Sequence, residues 1–139
     1  MFSIENNNIV ALVEAAKEGF AKAYAPYSQF QVGAAALTAT GKIVQGCNVE
    51  NASYGLTVCA ERNCLAQGVI SGEQAFSAIV IYTNQDKLTP PCGACRQVIA
   101  EFLAPEALVM AVNHNNDTKQ WTVNQLLPDA FMPKDLLEK

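Results

Sequence analysis

Along the first part of the chain, Ile9, Leu12, Val13, Ala16, Phe20 and Tyr24 recur at the three- and four-residue spacing that lines one face of a helix. Asn6, Asn7 and Asn8 stand ahead of this stripe as caps, and Pro26 stops it, so the first predicted element is a helix with one buried side. The pattern then changes. Gln31 to Thr38 is small and rich in alanine, Lys42 to Val49 follows, and Ala39, Thr40 and Gly41 join them as a hairpin turn. Asn51 to Leu56 is polar and reads as a loop, after which Cys59 to Ile70 returns to helical spacing until Ser71 and Gly72 end it.

Phe76 to Thr83 contains the unbroken apolar run Ala78, Ile79, Val80, Ile81 and Tyr82, as expected of a strand covered on both faces. A turn over Asn84 to Pro91 leads to a third predicted helix, Cys92 to Leu103, and Ala107 to Val112 is a second interior strand. The polar turn Asn113 to Asp117 pairs it with a short strand, Lys119 to Val123, and a terminal segment follows through Leu126, Leu127, Pro128 and Phe131. This order predicts an α/β protein, a three-layer α/β/α sandwich around a five-stranded mixed sheet.

Composition narrows the picture. With 139 residues, 50% of them hydrophobic, the chain suffices for one core, and residues 1–139 are expected to form a single domain. Nine basic against thirteen acidic residues, with no basic cluster, argue against a nucleic-acid partner. Met1 to Asn8 carry no export pattern, no stretch is long and apolar enough for a membrane span, and five cysteines cannot all pair. A reducing, cytoplasmic setting is therefore expected, with the cysteines serving as ligands, reactive groups or small buried side chains.

Two predicted helices open on cysteine: Cys59-Ala60-Glu61-Arg62, and Pro91-Cys92-Gly93-Ala94-Cys95-Arg96-Gln97. A helix N-terminus lowers a thiol's pKa and so favours the thiolate, the form that binds metal. Cys92 and Cys95 are neighbours on one helical face, close enough for the roughly 4 Å sulfur separation that tetrahedral zinc with Zn–S of ~2.3 Å requires. Three thiolates leave one position for water, which zinc converts to hydroxide near neutral pH. Glu61 is the candidate proton carrier, and Arg62 and Arg96 are positioned to offset surplus thiolate charge by hydrogen bonding to sulfur.

The Cys variant of H-x-E followed by P-C-x-x-C resembles the zinc deaminases. The likeness extends to Tyr27-Ser28-Gln29-Phe30-Gln31-Val32-Gly33-Ala34-Ala35, to Gly46-Cys47-Asn48-Val49-Glu50-Asn51-Ala52-Ser53-Tyr54-Gly55 and to Leu126-Leu127-Pro128-Asp129-Ala130-Phe131, which are similar to the small, homotetrameric cytidine deaminases. That resemblance implies hydrolytic deamination of cytidine and 2′-deoxycytidine at C4 in pyrimidine salvage, with one zinc per subunit on Cys59, Cys92 and Cys95 and Glu61 carrying protons. It further implies that Asn48 and Glu50 hold the sugar hydroxyls, that Phe30 and Ala60 line the nucleoside pocket, and that Tyr54 and Phe131 complete pockets of neighbouring subunits. Pro90 and Cys64 depart from the family pattern, which often has serine and alanine there; neither replaces a proposed reacting group.

Other readings remain open at this stage. A lone C-x-x-C after a buried strand also fits a thioredoxin-like site, although Cys59 and Glu61 are then unused. A closed zinc site in a non-catalytic module requires a fourth ligand, for which His114, Cys47 and Cys64 are available, though the first reads as solvated and the others as small buried side chains. A deaminase of a related nucleoside such as blasticidin S is a further alternative. Singly, Glu61 is an ordinary first-turn acid and Phe30, Tyr54 and Phe131 are packing residues; their joint pattern carries the assignment.

Overall fold

The computed structural model describes residues 4–138. Residues 1–3, on which part of the expectation about an export segment falls, and residue 139 lie outside the described residues. The elements run α1 (Asn6–Ala21), β1 (Gly33–Thr38), β2 (Ile43–Cys47), a 3-10 turn (Tyr54–Leu56), α2 (Ala60–Ile70), β3 (Phe76–Thr83), α3 (Gly93–Phe102), β4 (Leu103–Asn113), β5 (Thr118–Thr122), α4 (Val123–Leu126) and α5 (Pro133–Leu137). The sheet order is β2-β1-β3-β4-β5, with β3 and β4 parallel and the other pairs antiparallel. It is the five-stranded mixed sheet expected from the sequence.

Helices cover both faces. On one side Leu12 and Ala16 of α1 pack with Ala35, Leu37, Val80, Leu108 and Met110. On the other, Leu65 of α2, Ile99 of α3 and Val123 of α4 meet Ala34, Ala36, Ile79, Ile81 and Val109. This double cover explains why β3 is apolar without alternation, and each fully buried aliphatic side chain contributes roughly 1.5–3 kcal/mol.

Small residues set how closely the layers approach. Gly46 lies under the first turns of α2, where an added Cβ would stand 2.5 Å from the Ala60 carbonyl oxygen and 2.6 Å from the Cys64 Cα. Gly33 is similarly closed by α1, with Phe20 Cα 2.8 Å from such a Cβ. The Gly46 seat places the start of α2 directly on the sheet. Asn63 reinforces it by donating to the Cys47 carbonyl at 2.9 Å.

Several boundaries differ from expectation. Asn6 to Asn8 lie inside α1 instead of capping it, because the Glu5 carbonyl accepts from Asn8 and Ile9. Tyr24 leaves the helix: its N–H donates to the Asn48 carbonyl at 3.0 Å and its carbonyl accepts from Glu50 at 2.9 Å, so pairing with a distant segment replaces the last turn. β4 starts at Leu103, four residues before the expected start, and residues 104–106 bulge outward where the register with β3 jumps from Phe76–Leu103 to Ala78–Leu108. The terminal segment also contains two short helices the pattern did not predict. α4 is closed by a capping box between Thr122 and Gln125, and α5 opens with proline.

Candidate active site

The N-termini of α2 and α3 converge, and both are capped by cysteine: Cys59 precedes α2 and Cys92 precedes α3. Cys95 sits one turn into α3 and is fully buried. The three Sγ atoms lie within 4.8 Å of one another, with Cys59 and Cys92 3.9 Å apart. Sulfurs of one tetrahedral zinc at ~2.3 Å stand a little under ~4 Å apart, so the donor set and its spacing fit that ion. Among the described residues no fourth His, Cys, Asp or Glu joins the group.

The alternative ligands are occupied elsewhere. The Cys47 thiol points to the Lys22 carbonyl at 3.7 Å, the Cys64 thiol to the Val44 carbonyl at 3.5 Å, and His114 Nε2 lies 3.5 Å from Asp86. Cys64 is a buried hydrophobe whose desolvation pushes its thiol up to about 12.

Charge in the cluster is uneven among the sulfurs taken alone. Hydrogen bonding from Cys95 first, then from Arg62 and Cys92, holds the Cys59 thiol down to about 5 against the opposing effect of burial. The same interaction with Cys59, together with desolvation, pushes the Cys95 thiol strongly up. One thiolate thus forms readily and the next resists; a divalent cation removes that conflict by neutralising both. Arg62 Nη2 lies 3.6 Å from Cys59 Sγ and 3.5 Å from the Thr57 carbonyl.

Arg96 behaves differently from the sequence expectation. Its Nε donates to the Pro91 carbonyl at 2.8 Å and its Nη1 to the Leu126 carbonyl at 3.1 Å. The side chain therefore ties the loop before Cys92 to the C-terminal segment, and its hydrogen bonds go to carbonyl oxygens where the sequence reading had placed sulfur.

Glu61, the second residue of α2, is 5% exposed and lies within electrostatic reach of the Cys59 and Cys95 thiols. Burial, aided by the Cys59 thiolate, pushes its carboxyl up to about 7. At a helix start the i, i+2 pair Cys59 and Glu61 can both face the convergence point, since Cys59 still has extended backbone and only Glu61 is helical.

A cleft of about 360 Å³ is lined by Tyr27, Ser28, Glu50, Tyr54 and Thr57. Glu50 Oε1 accepts from the Tyr27 and Ser28 N–H groups at 3.0 and 3.1 Å, and Oε2 accepts from the Ser28 hydroxyl. Asn48 is buried; its Oδ1 accepts from Val32 N–H at 2.9 Å and its Nδ2 donates to the Phe30 carbonyl at 2.8 Å. It fixes the segment carrying Phe30 and retains one amide hydrogen. Ala60 is fully buried beside Cys59, whereas Tyr54 and Phe131 are 76% and 58% exposed. The Phe131 carbonyl accepts from Gln97 Nε2 at 2.7 Å.

Sequence reasoning missed Ser28, Thr57 and Gln97 as parts of this arrangement. Ser28 and Gln97 stand inside the family-like motifs, but their partners are remote, Glu50 being 22 residues from Ser28 and Phe131 34 from Gln97, so no local pattern assigned these contacts. Thr57 is engaged nearby, accepting from Asn51 N–H and Arg62. Among the described residues no helix is long and apolar enough to cross a membrane.

The model of the cytidine and deoxycytidylate deaminase zinc-binding region matches residues 6–112, and the chain belongs to that family. With the three-cysteine cluster, this makes it a zinc-dependent deaminase. It is 46% identical over 121 residues to the cytidine deaminase of Halalkalibacterium halodurans, covering 87% of this chain and 89% of the relative. The probable cytidine deaminase of Dictyostelium discoideum is 43% identical over 128 residues, covering 91% and 86%. The crystal structure of cytidine deaminase from Burkholderia pseudomallei superposes with a TM-score of 0.85 at 46% identity, covering 92% of this chain and all of that one.

Proposed function

We propose that this protein, as one catalytic domain, hydrolyses free cytidine and 2′-deoxycytidine to uridine and 2′-deoxyuridine with release of ammonia, in pyrimidine salvage. The observation that carries the reading is the buried Glu61 set against three convergent sulfurs, in a chain that also holds a Glu50-lined cleft. The names of relatives that cover most of the chain support it.

Cys59, Cys92 and Cys95 hold one zinc per chain. Zinc held there would supply Lewis acidity that lowers the pKa of a water to about 7. As the water oxygen bonds to C4, Glu61 takes one of its protons and passes it to ring nitrogen N3. It then takes the remaining proton from the new C4 hydroxyl and delivers it to the amino group, so that the C4–N bond breaks, ammonia leaves and C4=O forms. A carboxyl pushed up to about 7 suits this task, because a group that must both accept and release protons works best near the ambient pH. Arg62 donates to the Cys59 sulfur and limits the surplus negative charge that would blunt the metal.

Glu50 and Asn48 recognise the sugar hydroxyls, Phe30 and Ala60 line the pocket, and Tyr54 and Phe131 complete pockets of adjoining subunits in a homotetramer. The solvent exposure of both aromatic side chains in a single chain supports that last assignment. Glu50 is an acceptor for hydroxyls and a repulsive neighbour for phosphate, which favours nucleosides over nucleotides. Five unpaired thiols suit the cytoplasm.

Ammonia release from cytidine, 2′-deoxycytidine and their 5′-monophosphates tests the reading. Turnover of the nucleosides with little of the monophosphates is expected. No ammonia from either nucleoside, or a preference for the phosphorylated forms, would overturn it.

A further inference from the structure

We infer that Ser28 is a positioning residue for sugar recognition: its hydroxyl fixes the Glu50 carboxylate so that a single lone pair on Oε2 is presented to a substrate hydroxyl. This rests on the reading of Glu50 as the sugar acceptor.

The hydrogen-bond inventory of the carboxylate determines what it can offer. An ionised carboxylate has about four acceptor positions. The Tyr27 and Ser28 N–H groups fill both positions of Oε1 at 3.0 and 3.1 Å, and the Ser28 hydroxyl fills one of Oε2. One remains, on Oε2, and Glu50 lines the cleft together with Tyr27, Ser28, Tyr54 and Thr57.

The direction of the Ser28 proton is also set. The Phe30 N–H donates to Ser28 Oγ at 3.0 Å, so the hydroxyl serves as acceptor there and its one hydrogen is directed to Glu50. That geometry depends on Gln29, whose φ of 58° turns the backbone between the two donors. Gln29 N–H is itself held by the Ala25 carbonyl at 3.0 Å. The Ser28 hydroxyl is the largest influence holding the Glu50 carboxyl below the ordinary carboxylate range, in keeping with a persistent charge-assisted bond.

Without the hydroxyl, Oε2 has two open positions and the carboxylate loses the contact that fixes its rotation. The loss is paid on binding, where the carboxylate must be ordered against the sugar, and not at C4, where Glu61 acts.

The test is a double-mutant cycle with Ser28→Ala, Glu50→Gln and the double variant, plus Ser28→Thr, measuring kcat, KM and zinc content with cytidine. Ser28→Ala should raise KM about 5- to 30-fold with kcat within about twofold and zinc unchanged. In the Glu50→Gln background the same change should alter KM by less than about twofold, and Ser28→Thr should recover most of the wild-type KM. An unchanged KM in Ser28→Ala while Glu50→Gln raises it would overturn this inference and leave the sugar role of Glu50 standing. An unchanged KM in Glu50→Gln would overturn that role and this inference with it. Equal effects of Ser28→Ala in both backgrounds would reduce Ser28 to a structural residue and reject the positioning role.

Discussion

Gly46 lies so close beneath α2 that a side chain on it would meet the carbonyl of Ala60, the residue between Cys59 and Glu61. The position of the Glu61 carboxyl is therefore set by a missing Cβ on a neighbouring strand. Gly46→Ala should push the start of α2 outward, cost about 2–3 kcal/mol as an overpacking change, and lower zinc content. Thermal denaturation with metal analysis checks this, and a variant with normal melting and full zinc would contradict it.

Glu61 is buried within electrostatic reach of Cys59 and Cys95 but does not join the three-cysteine cluster. Glu61→Gln should keep its zinc while kcat falls about 10²- to 10⁴-fold, the usual range for loss of a general acid–base. Zinc analysis and steady-state kinetics on the same preparation decide the matter; retained turnover, or loss of the metal, would count against a proton-carrying role.

Arg96 and Gln97 follow Cys95 directly and both reach the C-terminal segment, at Leu126 and Phe131. Only Arg96 also grips Pro91, next to Cys92. Gln97→Ala should speed hydrogen exchange over residues 127–131 and leave zinc content unchanged, at a cost of about 1 kcal/mol. Arg96→Ala should loosen that segment and weaken zinc as well. Identical behaviour of the two variants would refute the division of labour.

The Glu50 carboxyl titrates below its ordinary 4.5 because of hydrogen bonds made first by the Ser28 hydroxyl and then by the backbone of Ser28 and Tyr27. As pH falls the unfolded chain takes up that proton first, so the stabilisation is present above 4.5 and is lost as pH drops through the lower folded value. Ser28→Ala should move the Glu50 midpoint up towards 4.5. An NMR titration of the side-chain carboxyl carbon measures it, and an unmoved midpoint would mean the hydroxyl contributes nothing.

The layers of the fold were legible in the sequence because hydrophobic period reports burial directly: the unbroken run over Ala78 to Tyr82 is a strand enclosed by helices on both sides. The three-cysteine cluster was legible for a different reason, since thiols at two helix starts make a compact signal. Long-range exchange of backbone partners was not. Tyr24 carries an apolar ring in helical register, yet its backbone pairs with Asn48 and Glu50, and the β4 bulge over residues 104–106 follows from its alignment with β3. Arg96 shows the same limit. Adjacency to Cys95 suggested a sulfur contact, while the guanidinium satisfies carbonyls at Pro91 and Leu126 that only the folded chain brings near. By contrast the Thr122 to Gln125 capping box had a readable local pattern that the hydrophobic spacing overshadowed.

The central claim is that Cys59, Cys92 and Cys95 grip one zinc and leave a fourth position to water. X-ray absorption at the zinc edge of the purified protein tests it most directly. The expected spectrum has three sulfur neighbours at about 2.3 Å and one oxygen at about 2.0 Å. Four sulfur neighbours, or a histidine nitrogen in the fourth position, would contradict it.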